Sequence, residues 1–303
     1  MNSVLHTEPI RFKKSYGIAC CRYNLDTKLP EVLMIKKRYT YAFFDFVFAK
    51  YKKNDDARLR SLFNQMSTQE KSEILRLDFD KLWIRIRIKI PIQPNINKKY
   101  SRTRIYKEQK ERYSRKSMQT NTGYILYDDD WHTYKKKKDK FNTNFILSNR
   151  GKKLKRLING TKSVDSIWEI PKGRPAYNEK PINTALREFK EETDISLDKY
   201  TFLKHVKPIV KSYIVNRCSY THIYYIAISK GFDWDPEINF CSYEQNCEVE
   251  DIQWVSLSKA SYLNLKQIST HNNRMLNLMK KIIEIFKNNY KFSDIVISAT
   301  HSK

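Results

Sequence analysis

Glycine and cysteine are scarce in this chain of 303 residues, long apolar runs are missing, and acidic side chains are heavily outnumbered. With only six glycines, any Gly inside a patterned segment is informative, because Gly alone tolerates certain backbone angles and close approaches. The five cysteines, Cys20, Cys21, Cys218, Cys241 and Cys247, are odd in number and lack C-x-x-C spacing. That argues against a disulfide framework and a zinc ribbon, and the chain reads as intracellular. The longest apolar runs are strand-like stretches such as Val32–Ile35, far too short to span a bilayer. Met1 to Lys14 is polar and has no apolar signal-peptide core. Against 33 Asp and Glu stand 58 Lys and Arg, a formal net charge of +25, which exceeds what solubility requires and points to a polyanionic partner.

What is present suffices for a folded protein. With 40% apolar and 13% aromatic residues, the chain can bury a core as one large domain or two modest ones. Ser15–Tyr23 and Glu31–Arg38 read as two strands joined by the polar turn NLDTKLP, a hairpin. An aromatic stretch, Tyr39–Phe48, precedes two helical patterns. The second opens with a capping box, Ser67 to Glu70, and carries Ile74, Leu75, Leu77, Phe79 and Leu82 in one helix. Residues 96–156 hold 19 Lys and Arg against 6 Asp and Glu. Tyr100, Tyr106, Tyr113 and Tyr134 are interleaved with that charge, and 100–140 is expected to be poorly ordered. A helix with Leu154, Leu157 and Ile158 then ends at Gly160. Strands are expected at Ser166–Ile170, Leu203–Val215, His222–Ile228 and Val249–Leu257, and a long amphipathic helix with Met275, Met279, Ile282 and Phe286 closes the domain. Strands and helices mix without regular βαβ alternation, so the class is α+β.

The segment 173–195, GRPAYNEKPINTALREFKEETDI, bears the chemistry. Asn178 suits an N-cap, with Glu179 and Pro181 in the first turn, and Ile182, Ala185, Leu186 and Phe189 form one apolar stripe. Glu188, Glu191 and Glu192 then crowd within about 100° on the neighbouring face. Like charges at these spacings cost roughly 0.2–0.5 kcal/mol per pair unless cations offset them. Hard oxygen ligands suit Mg²⁺ or Mn²⁺, which bridge phosphates and activate water. A solvated acidic face would show the same three residues.

The whole pattern separates the two readings. The segment resembles the Nudix box, G-x5-E-x7-R-E-U-x-E-E-x-G-U, with Gly173, Glu179, Arg187, Glu188, Phe189, Glu191, Glu192 and Ile195 at matching positions. Asp194 replaces the final Gly; a helix-ending left-handed residue tolerates Asp. The resemblance implies a Nudix fold, with mixed β-sheets sandwiched between helices. It also implies that Glu188, Glu191 and Glu192 hold divalent metal with the carbonyl at Lys172 or Gly173, and that Arg187 and Glu179 form an orienting ion pair. Lys172 and Arg174 would neutralise phosphate charge, although simple solvent exposure is the plain alternative for Lys172. In Glu248-Val-Glu-Asp-Ile-Gln-Trp254 a further carboxylate is expected as metal ligand or general base, Glu248 first and Glu250 second.

Segments SYGIACCRYN, VLMIKKRYTYAFFDFV, GKKLKRLING and WEIPKGRP resemble the mRNA-decapping Nudix hydrolases of large cytoplasmic DNA viruses, of the African swine fever virus type. Patterning and composition together with that resemblance divide the chain into N-terminal strands (1–42), an inserted helical module (43–96), a basic, partly disordered insertion ending in a helix (97–160), the catalytic core (161–290) and a tail (291–303). The implied activity is cleavage of the cap's triphosphate bridge, releasing 7-methyl-GDP and 5′-monophosphate RNA, in the cytoplasm. Capped mRNA is the implied partner; the resemblance carries nothing over to the basic stretch, whose composition by itself suggests a salt-sensitive RNA grip through Lys135, Lys136, Lys137, Lys138, Lys152 and Lys153, in the manner of basic, Tyr-bearing surfaces. A basic tail with no such role is the alternative for that stretch. Inositol pyrophosphates are a rival substrate, and a non-catalytic RNA-binding protein is a rival of another class.

Overall fold

The computed structural model describes residues 11–87, 117–119, 125–147, 152–165, 167–215, 218–231, 234–240, 242–262 and 270–289. Tyr100, Tyr106, Tyr113, most of the basic stretch before Asp128 and the tail 291–303 lie outside them. Among the described residues the strands are β1 (Arg11–Asn24), β2 (Leu29–Lys37), β3 (Ser117–Gln119), β4 (Ile125–Tyr127), β5 (Trp168–Glu169), β6 (Lys172–Gly173), β7 (Tyr200–Phe202), β8 (Ile209–Val215), β9 (Cys218–Ser229) and β10 (Val249–Ser256). The chain divides into two compact units, one of 1–38 with 167–303 and the other of 39–166.

The first unit is built on a mixed sheet ordered β10-β2-β1-β9-β7, with β5 on β2, β6 on β1 and β8 on β9. β1 and β2 form the expected antiparallel hairpin, Cys21 facing Val32, while β1 and β9 run parallel from Arg11↔Cys218 to Cys21↔Ile228. From Gly17 to Tyr23 β1 is buried on both faces, so its apolar residues run on there without polar alternation. Ile18 and Cys20 join Ala185 and Phe189 of the helix Pro181–Thr193. Ala19 and Cys21, one residue out of phase, join Met275, Met279, Ile282 and Phe286 of the helix Thr270–Asn289. The strand expected over Leu203–Val215 is interrupted: β7 ends at Phe202, and β8 starts only at Ile209. Pro208 has no N–H to offer a ladder, and Val206 N–H turns back to Leu203 O.

The second unit packs helices Tyr41–Val47, Asp56–Phe63, Thr68–Arg76, Phe79–Arg87, Asp128–Phe141 and Lys152–Ile158 around Phe46, Phe63, Trp83, Tyr134, Phe141, Phe145 and Leu157. Ser67 and Glu70 make the capping box. The single helix expected beyond it is two helices, because Leu77 leaves helical angles (φ −94, ψ 144) and Asp78 accepts the Lys81 N–H at 2.8 Å to start a new turn. Order also reaches into the stretch 100–140. Tyr134 is buried and donates its hydroxyl to Asp80 Oδ1 at 2.7 Å, and Lys140 caps the carbonyls of Ala49 and Tyr51. Low aliphatic content misleads here, because aromatic rings and paired lysines anchor this helix. The described residues of 43–96 and 97–160 therefore share one core.

Candidate active site

The carboxylate helix starts later than its sequence suggests. Asn178 is not the N-cap; it sits in a left-handed turn (φ 56), and Lys180 is the cap residue (ψ 144), without a side-chain hydrogen bond. A residue before proline is pushed out of helical angles, and Pro181 at the first position supplies the fixed φ. At the other end Asp194 adopts the left-handed conformation expected of it (φ 55, ψ 15). Asn239 and Lys190 each hold one of its carboxylate oxygens.

Arg187 organises the outer half of the site. Its Nε and Nη2 donate to the Glu179 carboxylate at 2.8 and 2.9 Å, and Nη2 also reaches Arg174 O at 3.0 Å. Its Nη1 lies 2.8 Å from Glu188 Oε1 and 3.1 Å from Glu191 Oε2. One guanidinium thus ties the loop to the helix. Hydrogen bonds from Arg187 and from the Ala176 N–H hold Glu179 down at about 2. A carboxylate that is harder to protonate folded than unfolded stabilises the fold above the unfolded pKa, and that contribution is lost as pH falls through the folded value. Glu179→Gln is expected to cost about 1–2 kcal/mol at pH 7, reduced from the full linkage value by solvent screening. The deficit should shrink as pH falls from about 4.5 towards 2. Urea midpoints across this range measure it; a constant deficit would mean that lost packing, not lost charge, is responsible.

The inner half is buried. In β2 the residues Leu33, Ile35 and Lys37 share one face, so Lys37 points inward, where it is 9% exposed. Its ammonium lies 2.7 Å from Glu192 Oε1, 3.0 Å from Glu248 Oε2 and 4.0 Å from Glu169 Oε1. Glu192 Oε2 accepts the Lys172 backbone N–H at 2.8 Å, and Lys172 Nζ pairs with Glu169 at 2.8 Å. Lys172 is therefore engaged, while Arg174 is exposed. Glu248 ends a short helix, Tyr243–Glu248, and faces this cluster; Glu250 instead pairs with Lys36 at 3.1 Å. Lys37 and Glu169 escaped the sequence reading. A lysine at an inward position of an alternating strand is the signal for the first, since a buried charge needs a partner.

Two glycines allow the strands to close in. A Cβ on Gly17 would come 2.2 Å from Pro171 O, and one on Gly173 would fall 1.9 Å from the Glu188 carboxyl carbon. Burial pushes Glu192 up to about 7 despite Lys37, with Glu248 and Glu169 adding to the rise. Burial likewise raises Glu188, against the pull of Arg187. Among the described residues no three His, Cys, Asp or Glu side chains enclose an ion by themselves; Lys37 and Arg187 stand between the carboxylates. Hard oxygens, buried beyond what two cations offset and seated against a glycine, are nonetheless the donor set that a divalent cation fits.

The lysines singled out in the basic insertion fall in the second unit. Lys135 and Lys136 are exposed on the helix Asp128–Phe141 and Lys137 is half-buried, while Lys138 pairs with Asp80 at 2.7 Å. Lys152 is exposed, and Lys153 lies 3.3 Å from Asp56.

Comparison with known proteins gives this site a family. The NUDIX domain model matches residues 142–279, leaving out β1 and β2, which the second unit separates in sequence from the rest of the sheet. The mRNA-decapping protein g5R of African swine fever virus (isolate Pig/Kenya/KEN-50/1950) is 30% identical over 262 residues, covering 85% of this chain and 91% of that protein. The putative mRNA-decapping protein of Acanthamoeba polyphaga mimivirus is 26% identical over 241 residues, 75% of this chain and 59% of its own length. An Ap4A hydrolase structure from C. elegans aligns over 92% of this chain at 11% identity and a TM-score of 0.38. Similarity sustained over nine-tenths of a relative, together with the domain match across the carboxylate helix, establishes that this chain belongs to the Nudix family and is a Nudix pyrophosphohydrolase.

Proposed function

We propose that the chain removes the 5′ cap of mRNA, hydrolysing the triphosphate bridge to 7-methyl-GDP and 5′-monophosphate RNA. The observation that carries the reading is the convergence of Glu192, Glu248 and Glu169 on Lys37, a buried carboxylate site beside which Arg174 is exposed and open to phosphate, while Lys172 is paired with Glu169. Similarity to proteins named for decapping supports the substrate, and so does a net charge of +25, a grip that a free-nucleotide hydrolase does not need. Mg²⁺ or Mn²⁺, held by Glu188, Glu191, Glu192 and the Gly173 carbonyl, would neutralise bridge charge and acidify a water.

Within this reading Glu248, whose side chain is 46% exposed, receives the proton of the water that attacks phosphorus. The bond from that phosphorus to the bridging oxygen breaks, and the oxygen leaves on the other product. Lys37 keeps Glu192 and Glu248 oriented. Arg187 and Glu179 keep the loop of Gly173 and Arg174 against the helix, so that the phosphates meet fixed groups. Lys135, Lys136, Lys137 and Lys152 hold RNA phosphates; Lys138 and Lys153 contribute less, being paired with Asp80 and Asp56. Capped mRNA as substrate places the activity in the cytoplasm.

The test compares the wild type with Glu191→Gln/Glu192→Gln on cap-labelled RNA in Mg²⁺ or Mn²⁺. Release of 7-methyl-GDP by the wild type alone supports the reading. Cleavage of inositol pyrophosphates but not RNA, or RNA binding without turnover, would overturn it.

A further inference from the structure

Among the described residues, one end of the sheet is left exposed on the side that carries the catalytic helix. There β1, β9 and β8 set three rows of side chains across the strands: Tyr16, Ile223 and Val210; Lys14, Thr221 and Ser212; Phe12, Ser219 and Ile214. Phe12, Val210 and Ile214 are 78%, 58% and 63% exposed, a large apolar surface for a soluble protein to leave open. The first row is continuous with the candidate active site, because Tyr16 pairs with Gly173 in β6, and Gly173 abuts the Glu188 carboxylate.

Charge indicates the occupant. The rows on this face contain no Asp or Glu and carry Lys14, while Arg11, Lys13 and Lys211 are one residue out of phase and belong to the opposite face. A surface combining an exposed ring, the hydroxyls of Ser212, Ser219 and Thr221 and the Lys14 cation, with no carboxylate in its rows, is suited to stacked bases and a phosphate backbone. The rings on the opposite face are already engaged. Tyr213 stacks on Tyr220 with centroids 5.3 Å apart, Arg274 lies 4.4 Å over Tyr213 and Lys13 lies 5.3 Å over Tyr220.

We infer that this open face is a binding platform for single-stranded RNA, on which Phe12 stacks a base and Lys14 meets the backbone close to the bond that is cut. This rests on the decapping reading and adds to it a site in the catalytic unit, apart from the basic insertion. It explains why β8 and β9 extend past the helix-covered part of the sheet while keeping apolar residues on their exposed side.

The test measures binding of a ten-nucleotide, 5′-monophosphorylated single-stranded RNA in EDTA, where nothing is cut. Phe12→Ala is expected to weaken binding about tenfold, the scale of one lost base stack, while Phe12→Trp retains wild-type affinity. Phe12 is exposed, so neither variant should lower the melting temperature. Equal affinity of the alanine variant and the wild type would overturn the platform even where capped RNA is cleaved; failure of the wild type to cleave capped RNA would instead sink the decapping reading. A wild-type dimer dissolved by Ile214→Ser would assign the face to a second copy and also overturn the platform.

Discussion

Glu192→Gln is expected to reduce turnover of capped RNA by about 10³-fold, while the melting temperature in EDTA moves by only a few degrees. The two outcomes separate because of where this carboxylate sits. Glu192 is 2% exposed and accepts from Lys37 Nζ and from the Lys172 N–H. Burial already pushes it up to about 7, so without added metal the fold gains little from its charge at neutral pH. Replacing it with a neutral isostere therefore costs little stability, about 1–2 kcal/mol for the one hydrogen bond that an amide cannot accept. Turnover is expected to behave differently on the proposed reading, in which Glu192 would be a ligand to the activating cation and contribute several kcal/mol of transition-state stabilisation; about 4 kcal/mol corresponds to 10³ in rate. Mg²⁺ or Mn²⁺ should raise the wild-type melting temperature by binding the native state and leave that of the variant nearly unmoved. Turnover within tenfold of wild type would remove Glu192 from the catalytic set.

Phe141→Ala is expected to destabilise the second unit by about 3–5 kcal/mol, the range for a large aromatic ring removed from a core. Phe141 is 2% exposed, and its ring lies 5.4 Å from both Phe79 and Phe145 and 6.1 Å from Phe46. Hydrogen exchange should show faster opening of amides within 39–166 while β1, β2 and β9 keep their protection. Unchanged exchange in 39–166 would mean that the helix Asp128–Phe141 is dispensable to that core. Removing 101–145 would take Tyr134, Phe141 and Phe145 out of this core together and is expected to unfold the second unit.

Much of the site was legible in one stretch of sequence. Glu188, Glu191 and Glu192 share a helix face because helical periodicity is a local property, and Arg187 reaches Glu179 across only eight residues. The left-handed Asp194 was legible too, since few residues accept that conformation. Asn178 was misjudged even locally, because the proline three residues on restricts its neighbour more strongly than a capping side chain attracts the helix start.

The net charge of +25 and the carboxylate helix were set by composition and spacing alone, while the family and the kind of chemistry came from the resemblance of that helix to the Nudix box. Only the tertiary structure decided which groups meet. Lys37 finds Glu192 across 155 residues and Glu248 across 211. Tyr134 finds Asp80 across 54. No periodicity links positions so far apart. Burial then gives these contacts their chemical meaning, because a lysine or glutamate that is ordinary in water must find its partner, or shift its protonation, once the sheet and its helices close over it.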